Sequence, residues 1–296
     1  MKLYENKLKI LDKTGKLYPP LYFQRFVNNK LTYLSYFKKN NIPIIDSILI
    51  NRKQLNYIID HINIFWENFK LQMKIKKWKS FIVKPNFGQD SNGFRYFEKI
   101  NDLTKKELLH QLEEYDKYPG CIIQEYIKEL DEGDSEIKLY FIEEKFKFGI
   151  VMTDDDIEKY ISLSNDDIIC PKEKCKIKQM NIYDKENLNV PLEKYVKFAK
   201  NVINVLPKIK IKGKITPHLL LRIDVGYSRK TGLFLNEIEF VPSLFNGEYN
   251  YDLDYELAKA TKRLIEKESF VYIFGKPEAY ENRRMGIVVL CSDTLY

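Results

Sequence analysis

The chain has 296 residues, 44% hydrophobic and 31% charged, which is material for one large domain or two small ones and excludes a disordered or collagen-like polypeptide. Its 49 Lys and Arg against 42 Asp and Glu leave a formal charge of +7. So many acids make this a mixed surface rather than a polycation, and nucleic acid is not the partner such a balance selects.

In chain order, the first twenty residues are mixed and end in Pro19-Pro20. The run from Asn28 predicts a short helix, a turn at Asn40-Asn41 and an apolar strand starting near Pro43, because the residue before a proline disfavours helix. From Lys53 to about Lys77, Leu55, Ile58, Ile59, Ile62, Ile64, Phe65 and Phe69 recur at three- and four-residue steps, the period of one amphipathic helix. SFIVKP at 80–85 and FRYFEKI at 94–100 flank the turn-rich NFGQDSNG at 86–93 and read as a hairpin. NDLTKKELLHQLEEYDKY is a helix with Asp102 or Thr104 as its N-cap and Leu108, Leu109 and Leu112 on one face.

CIIQEYI at 121–127 and EIKLYFIEEKFKFGIVMT at 136–153 return to strand composition, the latter turning at Glu143-Glu144. The stretch 154–191, acidic and then lysine-rich without periodicity, is expected to be an insertion or lid. EKYVKFAKNVINVLPK is an amphipathic helix, HLLLRIDVGYSRKTGLFLNEIEF a hairpin turning at Arg229 to Gly232, and YELAKATKRLIEKE a closing helix. The aromatic tail after Phe270 has no assignment.

Cys121, Cys170, Cys175 and Cys291 form no C-x-x-C pair, and the chain opens without an apolar leader, so a reducing, cytoplasmic location is expected. His61, His110 and His218 do not complete a zinc site with Cys170 and Cys175 at any familiar spacing. The longest apolar runs are far shorter than a membrane span, so a soluble protein without a membrane partner is expected.

Two constellations can carry chemistry. The loop from Lys84 to Gly93 offers two glycines, small side chains and free backbone N–H groups above a lysine, a geometry that can fold over phosphates. It is not a Walker loop, and an ordinary hairpin with an Asn-Gly turn would look similar. The second is sharper. Arg222 and Asp224 lie two apart on one run, and Glu237 and Glu239 two apart on the next, so a strand's period of two puts each pair on one sheet face. Three carboxylates brought together there need a cation, and Mg²⁺ suits one or two carboxylates with substrate phosphates. The bland alternative is a solvated polar face with Arg222 as a local ion-pair partner.

Taken in order, Lys30, Ile42-Pro43, V-K-P followed by G-x-x-S-x-G, I-Q-E-Y-I, E-I-K, R-I-D and N-E-I-E resemble the ATP-grasp superfamily over roughly residues 25–268. These are ligases that join a carboxylate to an amine through an acyl phosphate, such as D-alanine–D-alanine ligase, glutathione synthetase and ribosomal-protein glutamate ligases. The resemblance implies an α+β ATP-grasp fold, two subdomains clasping a nucleotide between antiparallel sheets, with a reduced N-terminal domain. The implied division is a short segment 1–24, a nucleotide-binding subdomain 25–127, a Mg-binding subdomain 128–270 carrying the insertion 154–191, and a tail 271–296.

By the same resemblance, Lys30 and Lys84 contact the nucleotide phosphates, and Gly88, Ser91 and Gly93 belong to the loop closing over them. Gln124, Glu125, Tyr126 and Ile127 form the hinge at the adenine edge, with Glu125 as its acid. Glu136 holds the ribose hydroxyls, and Lys138 stands where several relatives carry Arg. Asp224, Glu237 and Glu239 match the Mg²⁺ ligands, and Arg222 the cation at the reacting centre. ATP and Mg²⁺ are therefore the implied cofactors, with a small-molecule or peptide carboxylate and an amine as substrates.

Three departures stand out. The last metal position is usually Asn and here is Glu239, the front domain is short, and the small-residue motif after the metal ligands is replaced by Phe240-Val241-Pro242-Ser243-Leu244-Phe245. A homodimer, or the 154–191 stretch, could supply what the front domain lacks. Two alternatives to the ligase stay open: a kinase of this fold phosphorylating a hydroxyl of a polyanionic small molecule, and a nucleotide-binding protein without catalysis.

Overall fold

The computed structural model describes residues 2–15, 17–87, 93–131, 136–153, 178–181, 188–211, 213–240, 257, 259–262, 270–272 and 287–289. The chain divides into two compact units, one of residues 25–127 and one of 1–24 with 128–296.

The 25–127 unit starts with α3 (Lys30–Lys39), capped by Asn29, whose side chain accepts from the Thr32 N–H at 3.0 Å. Asn41 adopts φ 58° and turns the chain. Strand β2 (Ser47–Asn51) begins four residues later than the Pro43 expected from sequence. The delay follows from Asp46, whose carboxylate takes Lys76 Nζ at 2.7 Å and Trp78 Nε1 at 3.2 Å instead of leaving the segment free to extend. The single helix expected over 53–77 is two, α4 (Arg52–Asp60) and α5 (Ile62–Lys76), broken at His61 with φ −128°. Both helices face one core, where Leu55, Ile58, Trp66, Phe69 and Met73 are buried together with Ile59, Ile62 and Phe65 packed against them, whereas Ile64, expected on the same face, is 56% exposed on the other side of α5.

Strands β3 (Phe81–Pro85) and β4 (Arg95–Phe97) make the anticipated antiparallel hairpin, Phe81 opposite Phe97. Helix α6 (Asp102–Glu114) is capped by Asn101 rather than by Asp102 or Thr104. The Asn101 side chain accepts from the Thr104 N–H at 2.9 Å, while the Thr104 hydroxyl donates to the Lys99 carbonyl at 2.6 Å. Strand β5 (Gly120–Glu125) then enters between its neighbours in the order β2-β5-β3-β4, all pairs antiparallel, and every one of its residues is buried. Gly120 has to be glycine, since a Cβ there would collide with the Ile50 carbonyl oxygen.

The second unit holds α1 (Lys2–Lys13), β1 (Leu17–Tyr18) and the start of α2 (Leu21–Asn28). After α7 (Lys128–Asp131) come β6 (Glu136–Ile142) and β7 (Lys145–Thr153), joined at Glu143 and Glu144, both left-handed at φ 49° and 63° as a tight hairpin turn demands. Part of the expected insertion is sheet, because Lys178–Asn181 form β8 on the edge of β7. The remaining residues of 154–187 lie outside the described residues, as do Gly88 and Ser91.

Helix α8 (Leu192–Val205) packs Tyr195, Ala199, Val202 and Ile203 inward, and a small hairpin, β9 (Ile209–Ile211) with β10 (Lys214–Thr216), follows. Strands β11 (Leu220–Ser228) and β12 (Gly232–Glu239) complete an antiparallel sheet of order β12-β11-β6-β7-β8. Of the closing helix, Leu257 and 259–262 are helical and described. The tail is not structureless, since β13 (Phe270–Tyr272) runs parallel to β1 and β14 (Ile287–Val289) antiparallel to β13. Among the described residues no helix is long and apolar enough to cross a membrane.

Candidate active site

The register of β6, β11 and β12 gathers the charged residues. Arg222 lies opposite Tyr140 on one side and Glu239 on the other, while Asp224 lies opposite Lys138 and Glu237. Alternation along each strand then puts Glu136, Lys138, Tyr140, Arg222, Asp224, Glu237 and Glu239 on one face. A bulge after Asp224 leaves Asn236 without a partner on β11, and its Nδ2 donates to Glu136 Oε1 at 3.1 Å. Gly226, between Glu136 and Phe234 in the register, leaves room for the Phe234 ring that any Cβ would strike.

Asp224 is the hub and is 1% exposed. It accepts Arg222 Nε and Nη2 at 2.7 Å each, a bidentate pair, and Lys138 Nζ at 3.2 Å. Arg222 Nη2 also meets Glu239 Oε1 at 3.1 Å, and Lys138 Nζ lies 3.7 Å from Glu136 Oε1. Desolvation works against the charge on Lys138, but Asp224 and Glu136 outweigh it and hold its pKa above the ordinary lysine value. Burial likewise opposes the charge on Arg222, and Asp224 with Glu239 again prevails. Glu136 is pushed up by burial, against the pull of Lys138.

With all groups ionised, four carboxylates face two cations, which leaves the cluster two negative charges in excess. Such a deficit suits a divalent cation carrying phosphate oxygens. Among the described residues no three His, Cys, Asp or Glu side chains are gathered as a ready metal cage. Instead Arg222 engages both Asp224 and Glu239, so these residues fit a cation that takes only one or two protein carboxylates.

The other expected residues belong to the 25–127 unit. Lys84, partly buried on β3, lies opposite Ile122. Lys30 opens α3, and the next residue, Leu31, donates its N–H to Asn86 Oδ1 at 2.9 Å. Buried Asn86 thus ties the neighbour of Lys30 to the segment just past Lys84. Gly93 has φ 76°, and the Tyr115 hydroxyl donates to its carbonyl, anchoring the end of the β3–β4 loop.

Gln124 and Glu125 end β5 as buried residues, with Tyr126 and Ile127 following; the Glu125 N–H donates to the Asp46 carbonyl and that of Tyr126 to the Ser80 carbonyl. Gln124 is 3% exposed, and its Nε2 donates to Ser47 Oγ at 2.9 Å. Ser47 gives its own proton to the Ile45 carbonyl at 2.7 Å, which fixes the amide orientation and leaves Gln124 Oε1 buried without a hydrogen-bond partner. An orphaned acceptor of this kind fits a ligand that brings an N–H, as the amino group of a purine does.

Sequence reasoning missed Tyr140, Asn236 and Asn86. Tyr140 was legible as the third alternate residue after Glu136 and Lys138. Asn236 was hidden by the bulge, and Asn86 by looking like loop filler.

The fold is a known one. No family model matches the chain, and no curated protein sequence does so at a significant level. Among solved structures, it is similar to the D-cycloserine synthetase DcsG, with a TM-score of 0.59 at 14% identity over 89% of this chain and 80% of that one. It is also similar to D-alanine–D-alanine ligase from Bacillus anthracis, with a TM-score of 0.52 at 16% identity over 81% and 68%. The ATP-grasp ligase PsnB, solved with a precursor variant, Mg and ADP, gives 0.50 at 12% identity over 82% and 61%. The chain has the ATP-grasp fold.

Proposed function

We propose that the protein is an ATP- and Mg²⁺-dependent ligase joining a carboxylate to an amine, with release of ADP and phosphate. The observation that carries this reading is the register of β6, β11 and β12, which sets Arg222, Asp224, Glu237 and Glu239 beside Lys138 and Glu136 on one largely buried face. Nothing in that cluster is a poised nucleophile with a base, and phosphoryl transfer needs none, since positioning and charge neutralisation dominate its catalysis.

In this reading one or two of Asp224, Glu237 and Glu239 supply oxygen ligands to Mg²⁺, and Glu136, oriented by Asn236, receives the ribose hydroxyls. Lys30 and Lys84 act as point charges on phosphate oxygens. Gln124 Oε1 accepts from the adenine amino group, beside the backbone of Glu125, Tyr126 and Ile127. Bound Mg-ATP would supply the phosphoryl group that activates the carboxylate. Arg222, held in place by Asp224 and Tyr140, presents fixed positive charge where negative charge develops. Glu239 in place of an uncharged amide adds an acid, which the 3.1 Å contact with Arg222 matches.

The test is phosphorus NMR of the protein with Mg-ATP and pooled amino acids, short peptides and inositol phosphates. ADP with free phosphate, formed only when a carboxylate and an amine are both present, supports the ligase. A new phosphoester signal replaces it with the kinase. Intact ATP in every mixture, together with no nucleotide-induced rise in melting temperature, defeats both.

A further inference from the structure

Helix α5 has two apolar faces. Trp66, Phe69 and Met73 are buried in the core of their unit, while Ile64, Leu71 and Ile75 on the other side are 56%, 55% and 63% exposed. Single exposed apolar residues call for no explanation, but three aligned on one helix form a patch. At 3.6 residues per turn, Ile64, Asn68, Leu71 and Ile75 fall within about 60° of arc. Their steps of four, three and four are those of the seam between two paired helices.

The flanks of the seam are chemically different. Exposed Glu67, which pairs with Lys70 of its own helix at 2.8 Å, and exposed Lys74 stand seven residues apart along one flank, whereas Gln72 and Phe65, the latter packed against the core, occupy the other. In a parallel pair each flank faces the opposite flank of its mate, so Glu67 would meet Gln72 and Lys74 would gain nothing. In an antiparallel pair each flank faces its own copy, and Glu67 of one helix meets Lys74 of the other, twice by symmetry.

We propose that α5 is a contact between two copies of this chain, antiparallel about a two-fold axis passing near Phe69 and Lys70. Ile64 then packs on Ile75 of the other copy, and Asn68 on Leu71. Charge complementarity selects this occupant, since the seam matches itself in one orientation only. Four turns of helix present less than the roughly 1,200–2,000 Å² of a standard stable interface. With Asn68 set against a leucine as well, the dissociation constant is of order tens of micromolar.

Sedimentation equilibrium of the full chain from about 5 to about 250 µM reads this directly. A reversible monomer–dimer equilibrium is expected, weakened about tenfold or more by Leu71→Glu, and about tenfold by Glu67→Lys or Lys74→Glu alone. The combined Glu67→Lys, Lys74→Glu variant restores affinity to within about threefold of the parent, because each flank again meets its opposite. All of these positions are solvent-exposed and the Glu67–Lys70 pair that Glu67→Lys breaks is a surface one worth under about 1 kcal/mol, so melting temperatures should change little and loss of association cannot be charged to unfolding. A monomer throughout the range, a dimer indifferent to Leu71→Glu, or a combined variant no better than its parents overturns the proposal.

Discussion

Replacing Asp224 by Asn tests the central electrostatic claim. The side chain of Asp224 is 1% exposed, that of Arg222 8% and that of Lys138 15%, so the substitution strips two desolvated cations of their principal counter-charge without changing shape. What is left is Glu239 on Arg222 at 3.1 Å and Glu136 near Lys138 at 3.7 Å. Breaking a buried pair from one side costs about 3–5 kcal/mol. The asparagine keeps one acceptor, so about 3 kcal/mol is expected, a fall of roughly 6 °C in melting temperature at about 2 °C per kcal/mol for a chain this size. Asp116→Asn is the internal control, because its partner Arg52 and Asp116 are 40% and 73% exposed and such a pair contributes under about 1 kcal/mol. Calorimetry and guanidinium titration of both variants at neutral pH give the comparison. If Asp224→Asn costs no more than Asp116→Asn, the charges on Arg222 and Lys138 are hydrated, and the picture of a dry, preorganised cluster is wrong.

Glu237→Ala should abolish ATP turnover in the phosphorus NMR assay while shifting stability by less than about 1 kcal/mol, since the Arg222–Asp224 pair survives; retained turnover removes Glu237 from the metal site. Lys84→Ala should weaken ATP binding about tenfold by calorimetric titration, and an unchanged affinity would show that β3 does not face the phosphates. Gln124→Leu should change the melting temperature little, because loss of the hydrogen bond to Ser47 is offset by removal of a buried orphan acceptor, yet diminish the nucleotide-induced shift; an undiminished shift rules out that oxygen as the adenine contact. His218, 1% exposed, has its pKa lowered by burial despite the Glu144 carboxylate at 2.7 Å. The unfolded chain therefore takes up a proton before the native one does, so stability present above about pH 6.5 is lost as the pH falls. Thermal melts between pH 7.5 and 5 should decline more steeply for the parent than for His218→Gln, and parallel declines would refute this.

Much of the fold was legible because periodicity and turn chemistry agreed. The hairpins at Glu143-Glu144 and at Arg229 to Gly232 followed from alternation interrupted by turn residues, and the pairing of Arg222 and Asp224 with Glu239 and Glu237 follows from the second hairpin. Side-chain competition defeated the local readings. Asn101 took the cap because Thr104 had a better use for its hydroxyl, and Asp46 delayed β2 by drawing in Lys76 and Trp78. His61 broke a helix whose apolar period continues across it, so no pattern in the sequence marks the break. Pairings between residues far apart in the chain, such as that of the tail strands with Leu17–Tyr18, leave no local signal at all.

The substitution of Glu239 for the expected amide has a different meaning once the register is known. From sequence it is one more acid in an acidic site. In the sheet it is the cross-strand neighbour of Arg222, and opposite charges directly across a ladder stabilise the pair. Arg222 is thereby held from two strands, by Asp224 on its own and by Glu239 on the next, with Tyr140 of a third strand beside it. A guanidinium fixed from three strands loses little freedom when it meets a ligand, and that preorganisation is what an electrostatic site needs. An amide at 239 would be neutral and would leave Asp224 as the carboxylate that balances Arg222. The added acid therefore works as a restraint on the guanidinium, which explains how the cluster tolerates it.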